Sequence, residues 1–336
     1  VAEVGTGEDM DVAHPDIVAV DDLAKNFDGV EAVSRVSFTV RAGELFGLLG
    51  PNGAGKTTTI NMLTGLAGPD SGSVRIAGFD PSEERQAAQR LVGVVPDESN
   101  LYPELTGVEN LCFCAALYGI GKDERETRAR QLLEDFGLTQ ASDRKFGGYS
   151  KGMKRKLTIA AGIIHRPEIL FLDEPTTGID VASARQVRHL IAELHKDGTT
   201  ILLTTHYIEE AERLCDRIAF IVAGRIVRVD TVDRLLQPIR GKHILEVSCE
   251  TVLGDAVGDL SGSFSGLTFE LTQENQMRVI SERPIRVGPL VRFLEDRGVE
   301  VSEARRIRPS LEDVFVEVTG IEAEAMQKEK PGGGGR

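Results

Sequence analysis

The run GPNGAGKTT, Gly50 to Thr58, follows the apolar stretch LFGLL and precedes TINMLTGL, a stretch with helical spacing. A G-x-x-x-x-G-K-T pattern between a strand and a helix is a phosphate-binding loop. Gly50, Gly53 and Gly55, with Asn52, Ala54 and Thr58 in the same run, let backbone N–H groups close around phosphate oxygens. The helix N-terminus adds the positive end of its dipole, Lys56 supplies a point charge, and Thr57 offers a hydroxyl to Mg2+.

Two further apolar runs end on groups that could act on that phosphate. ILFLDEP, Ile169 to Pro175, carries Asp173 and Glu174 at the carboxyl end of a strand, where α/β sheets bind ligands. There Asp173 would hold the cation and Glu174 would polarise an attacking water. Adjacent acids can instead cap a following helix; the phosphate loop in the same chain favours the chemical reading. TILLTTH ends on His206, which from the same sheet edge would contact a terminal phosphate. Finally, YSKGMKRKL sets Lys151, Lys154, Arg155 and Lys156 close behind Ser150 and around Gly152. Taken alone it is a nucleic-acid patch, a solvated helix face or half of an anion site.

The bulk composition narrows these choices. Lys and Arg number 39 against 53 Asp and Glu, a formal charge of −14, which argues against nucleic acid as a partner. Apolar residues make up 41 %, yet no run reaches the roughly eighteen that a membrane-spanning helix needs. The first residues lack a signal peptide's apolar core. Four cysteines, at 112, 114, 215 and 249, form no CxxC framework, so neither disulfides nor zinc is expected and a reducing compartment is.

The elements that must position the chemistry follow from periodicity. Apolar strands alternate with amphipathic helices from about residue 17 to 238, a pattern of α/β layers around a mainly parallel sheet. Thr106 and Glu109 form a capping-box pattern at the head of TGVENLCFCAALYGI. Beyond Gly241 the texture changes. HILEVSC reads as strand, TVLGDAVGDL as helix, LTFELTQ and MRVIS as a hairpin over residues 274–276, IRVGPLVRFLEDRG as helix and VEVSEARRI as strand. That βαββαβ order is the split, ferredoxin-like motif, and PSLEDVFVEVTG adds a last helix. Residues 1–15 and 321–336 are expected to be disordered tails.

The order phosphate loop, YSKGM, LFLDEPTTGID and His206 resembles the ATP-binding cassette (ABC) family over roughly residues 17–238. The resemblance implies an α/β P-loop NTPase cassette over 16–238, with a helical signature subdomain at about 100–165, joined to a small α+β domain at 240–320. It implies ATP and Mg2+ at the site, with Phe27 of LAKNFDG stacked on adenine, although a core Phe at a strand edge fits that residue nearly as well. Ser150, Gly152 and Met153 take the signature positions, and Asp180 of TTGID the D-loop position. In the family, signature residues meet the γ-phosphate held by a second subunit, so two chains sandwich two nucleotides. A homodimer, or a heterodimer with a related ATPase, is therefore implied. Half an anion site then explains Ser150 and Gly152, and Lys154, Arg155 and Lys156 read as a solvated face.

Where the family usually carries Gln after the strand VGVVP, this chain has Asp97, followed by Glu98. A carboxylate there would bind the cation harder than a neutral amide, so Asp97 joins Thr57 and Asp173 as a candidate metal ligand. The YSKGM signature and PSLEDVFVEVTG resemble the ATPases of ABC-2-type exporters, including drug-efflux systems. Such a subunit drives separate transmembrane permease chains from the cytoplasmic face of the cell membrane. The alternative is a soluble ABC ATPase of translation or DNA repair, which usually shows two cassettes or a long coiled coil. The C-terminal domain reads as a dimer-stabilising appendage or a ligand sensor, with the former preferred.

Overall fold

A computed structural model describes residues 15–254 and 256–321, together with Met326. The expected tails lie almost wholly outside the described residues. The chain divides into two compact units, meeting in sequence at Thr231 and Val232, ahead of the composition break near Pro238 and Gly241.

In the first unit, β1 (Asp16–Phe27) and β2 (Val30–Arg41) form a hairpin. Its two linking residues, Asp28 and Gly29, both have positive φ, 48° and 84°, as a two-residue turn matching the strand twist requires. β3 (Leu45–Leu49) leads into α1 (Lys56–Leu63), and β4 (Ser71–Ile76) pairs back onto β1. α2 (Arg85–Leu91) precedes β5 (Val92–Val95). Three helices follow: α3 (Gly107–Leu117), α4 (Lys122–Asp135) and α5 (Lys151–Ile163). β6 (Ile169–Asp173), α6 (Val181–Lys196), β7 (Thr200–Thr205) and α7 (Ile208–Leu214) come next, and β8 (Arg217–Val222) and β9 (Arg225–Thr231) close the unit as an antiparallel pair.

The six-stranded sheet runs β5-β6-β7-β3-β8-β9, parallel from β5 to β8. Every residue of β3, β6 and β7 is buried, the signature of strands covered on both faces. The three-stranded sheet β2-β1-β4 is antiparallel and was not foreseen as a separate layer. Its Val18, Val20, Val33 and Phe38 share one core with Phe46 and Phe171 of the larger sheet, and Phe38 stacks on Phe46 at 5.3 Å.

In the helical segment, the Thr106 hydroxyl accepts from Glu109 N and the Glu109 carboxylate accepts from Thr106 N, completing the expected capping box. One expectation fails there. Arg155 is not part of a solvated face: it is 7 % exposed and points inward from α5. Only Lys151 of the basic run is exposed, while Lys154 and Lys156 are half-buried.

The second unit holds α8 (Val232–Leu236), β10 (His243–Cys249), α9 (Ala256–Ser263), β11 (Thr268–Gln273), β12 (Gln276–Ser281), α10 (Val287–Glu295), β13 (Val301–Ile307) and α11 (Leu311–Thr319). Its sheet order β11-β12-β10-β13, antiparallel throughout, is the split βαββαβ arrangement. α9 starts later than its sequence pattern suggested. The Leu253 N–H is bonded to the Glu274 carbonyl at 2.9 Å and its side chain is buried, so residues 251–254 are held against the hairpin before the helix can begin.

Candidate functional site

Parallel register brings the chemical residues to one sheet edge. Leu49 at the end of β3 lies beside Thr205 of β7, and Asp173 at the end of β6 lies beside Thr204. The phosphate loop, Asp173 with Glu174, and His206 therefore leave three adjacent strands at their carboxyl ends. Dipoles and turns converge there, and an open sheet of this type binds ligands at that edge.

The loop geometry is that of an anion cradle. Gly53 and Gly55 have φ of 76° and 99°, and a Cβ on Gly55 would stand 2.4 Å from the Ala32 carbonyl oxygen. Only glycine fits there. α1 begins at Lys56 with no side-chain cap, so its first N–H groups face the loop. Lys56 is 4 % exposed and its Nζ donates to the carbonyls of Gly50 at 2.8 Å and Pro51 at 3.0 Å. It also stands 3.1 Å from Glu174 Oε1.

Glu174 sits at φ 46°, a left-handed turn that a non-glycine residue adopts at some cost. Its N–H donates to Thr204, its Oε2 accepts from Thr177 Oγ1 at 3.0 Å, and His206 Nδ1 lies 2.9 Å from the same oxygen. Burial would push its pKa up, but the His206 contact and the Lys56 charge outweigh that and bring the carboxyl down to about 2. The group is an anion at neutral pH, aimed at the lysine of the phosphate loop. Asp173, 3 % exposed, accepts from Thr204 Oγ1 at 2.5 Å. The hydroxyl of Thr57, which is exposed, and the carboxylate of Asp173 are hard oxygen donors, the set Mg2+ prefers.

Asp97 is half exposed and faces Arg155, with its Oδ1 3.4 Å from the guanidinium. Burial raises its pKa, Arg155 opposes this, and the nearby Glu174 and Asp173 charges raise it further. It therefore shares the electrostatic environment of the two acids at the end of β6. Arg155 also donates to the Pro96 and Asp97 carbonyls, clamping the loop after β5 to α5. Sequence reasoning missed this clamp, because a cation inside a basic run carries no mark of its burial.

Ser150 is the N-cap of α5, its hydroxyl accepting from Met153 N at 3.3 Å. A Cβ on Gly152 would lie 2.2 Å from Ser183 Oγ, so glycine is required by close packing of α5 on α6. Ser183 in turn donates to Asp180, the N-cap of α6, from both its N–H at 2.9 Å and its hydroxyl at 2.7 Å. Gly152 and Asp180 are thus joined through Ser183, a residue the motifs do not mark. Phe27 ends β1 with its ring 48 % exposed and Lys25 5.4 Å above it, which removes the core reading for this side chain.

A sequence model described as ABC transporter matches residues 33–177. The daunorubicin resistance ATP-binding protein DrrA3 of Streptomyces coeruleorubidus is 36 % identical, with 90 % of this chain and 96 % of that protein covered. The chain belongs to the ABC transporter family. The Nod factor export ATP-binding protein I of Burkholderia lata is 40 % identical over 89 % of this chain and 96 % of its own length. A solved dimeric, post-hydrolysis state of the ATP-binding cassette MJ0796, bound to ADP and phosphate, superposes with a TM-score of 0.60 at 26 % identity. It covers 64 % of this chain and 98 % of that one. The chain is accordingly an ATP-binding ABC ATPase, and the translation or repair alternative finds no support among these relatives.

Proposed function

We propose that this ABC ATPase powers an ABC-2-type exporter, working as a pair of cassettes beneath separate membrane subunits. At one sheet edge Glu174 stands 3.1 Å from Lys56 and 2.9 Å from His206, and this carries the hydrolytic part of the reading. The export part is supported by the relatives that full-length similarity selects. Among the described residues no helix is long and apolar enough to cross a membrane, which fits a peripheral subunit at the cytoplasmic face.

In this reading the loop N–H groups and Lys56 hold the β- and γ-phosphates, with Phe27 against the base. Thr57 and Asp173 hold Mg2+, with Asp97 as a further oxygen donor; the ion supplies charge neutralisation on the phosphates. Glu174 orients the attacking water and His206 fixes Glu174 and contacts the γ-phosphate. When Lys56 turns to phosphate, Glu174 loses a cationic neighbour and becomes more basic, as a water-activating group needs. Ser150, Gly152 and Met153 close the site of the partner subunit, and Asp180 lies at the same interface.

A cavity of about 540 Å3 lies beside this machinery, lined by Leu63, Leu66, Val94, Leu117 and Tyr118 and by Pro96 and Glu98 of the loop that carries Asp97. Leu66 and Leu117 are 69 % and 71 % exposed. A membrane subunit seated there would press on the loop between its own surface and the cation. Glu174→Gln tests the hydrolytic reading. Hydrolysis should fall about a hundredfold or more with ATP affinity retained, the scale of a positioned general base. Unchanged turnover would remove Glu174 from the reaction.

A further inference from the structure

The carboxyl of Glu210 takes no part in the chemistry described above, yet it is only 2 % exposed and lies in the first turn of α7, the helix that follows His206. Its Oε1 accepts from Thr176 Oγ1 at 2.7 Å, and its Oε2 has no hydrogen-bond partner among the described residues. Thr176 is itself buried and belongs to the turn that carries Glu174. Glu210 belongs to the first turn of α7, where its N–H donates to the Tyr207 carbonyl at 3.1 Å. The Tyr207 N–H in turn donates to Thr205 Oγ1 at 3.0 Å.

These contacts close a ring. From Glu174 the backbone runs to Thr176, a hydrogen bond crosses to Glu210, the first turn of α7 leads back to His206, and Nδ1 of His206 returns to Glu174 at 2.9 Å. We propose that Glu210 is a positioning residue whose buried carboxyl fastens the Thr176 turn to α7 and so sets the His206–Glu174 contact. This rests on the hydrolytic reading of those two residues.

The chemistry of the carboxyl fits a structural tie more than a charge partner. Burial pushes its pKa up, against the hydroxyls of Thr205 and Thr176 and the more distant charges of Arg188 and His206. Burial of the charged form in this position carries a large desolvation cost. The bond from Thr176 needs only an acceptor oxygen at that position. An amide carbonyl of the same shape should therefore serve nearly as well.

The test uses the full chain, with single-turnover ATP hydrolysis and nucleotide affinity measured separately. Glu210→Ala should lower the hydrolysis rate about tenfold with ATP affinity within about twofold, the pattern of a lost transition-state contact. Glu210→Gln should stay within about twofold of wild type. Thr176→Val removes the donor at the other end of the tie and should reproduce the Glu210→Ala loss, and it carries the comparison should Glu210→Ala not fold. In a His206→Ala background, Glu210→Ala should add less than about twofold, because its effect passes through the contact already lost. Wild-type hydrolysis in Glu210→Ala or Thr176→Val, a Glu210→Gln as slow as the alanine variant, or an undiminished tenfold loss on top of His206→Ala would each overturn the proposal. Failure of the underlying reading looks different: His206→Ala and Glu174→Gln would themselves turn over at the wild-type rate.

Discussion

Arg155→Leu removes the guanidinium that ties the signature helix to the loop after β5. In the wild type that group bonds the Pro96 carbonyl at 2.6 Å and the Asp97 carbonyl, and stands 3.4 Å from Asp97 Oδ1. Hydrogen bonds from a charged donor contribute about 1.5 kcal/mol each at the low end of their range, so the two carbonyl contacts together come to about 3 kcal/mol. The Asp97 carboxylate is half exposed and adds little, since ion pairs screened by water contribute well under about 1 kcal/mol. For a unit of this size each kcal/mol moves the midpoint by about 2–4 °C, which gives a loss of about 6–12 °C. Differential scanning calorimetry of the full chain reads this directly. Arg155→Lys keeps the charge but not the planar fork, and should lose about half as much. A leucine variant melting within about 2 °C of wild type would show that the clamp holds nothing, and that α5 is secured by its apolar face alone.

Two further outcomes follow from the electrostatics of the site. The Glu174 carboxyl is lowered from 4.5 to about 2 in the folded chain, so its contribution is complete above about pH 4.5 and is lost as the pH falls towards 2. The stability gap between wild type and Glu174→Gln, measured by denaturant unfolding, should be flat above that range and shrink below it; a gap that does not change down to pH 2.5 would contradict the Lys56–Glu174–His206 cluster. If Asp97 also serves the cation, Asp97→Asn should raise the Mg2+ concentration for half-maximal hydrolysis, and Asp97→Gln should keep more activity than Asp97→Ala. Wild-type Mg2+ dependence in all three would confine Asp97 to its contact with Arg155.

The cassette was legible because its signals are local. Five-residue apolar runs ending on Asp173 or entering GPNGAGKTT can only be buried strands feeding a ligand edge, and parallel register then brings their ends together without further instruction. The capping box at Thr106 and the βαββαβ order after Gly241 were readable for the same reason. What sequence spacing could not supply was contact at long range. The inward turn of Arg155, the Ser183 bridge between Gly152 and Asp180, and the tie from Thr176 to Glu210 each depend on two segments meeting in space. The antiparallel layer β2-β1-β4 was missed because its third strand, β4, returns to β1 only after β3, the phosphate loop and α1. The late start of α9 reflects a tertiary bond, Leu253 to Glu274, overriding a helical pattern.

In the proposed function Lys56 and Ser150 act on one nucleotide from opposite chains. Mixing a Lys56→Ala chain with a Ser150→Arg chain gives heterodimers in which one site keeps both intact residues and the other carries both lesions. With two different affinity tags to isolate the heterodimer, ATP-dependent dimerisation and single-turnover hydrolysis should recover well above either variant alone. Heterodimers shown to form by tandem purification, yet no more active than the parent variants, would contradict the shared site.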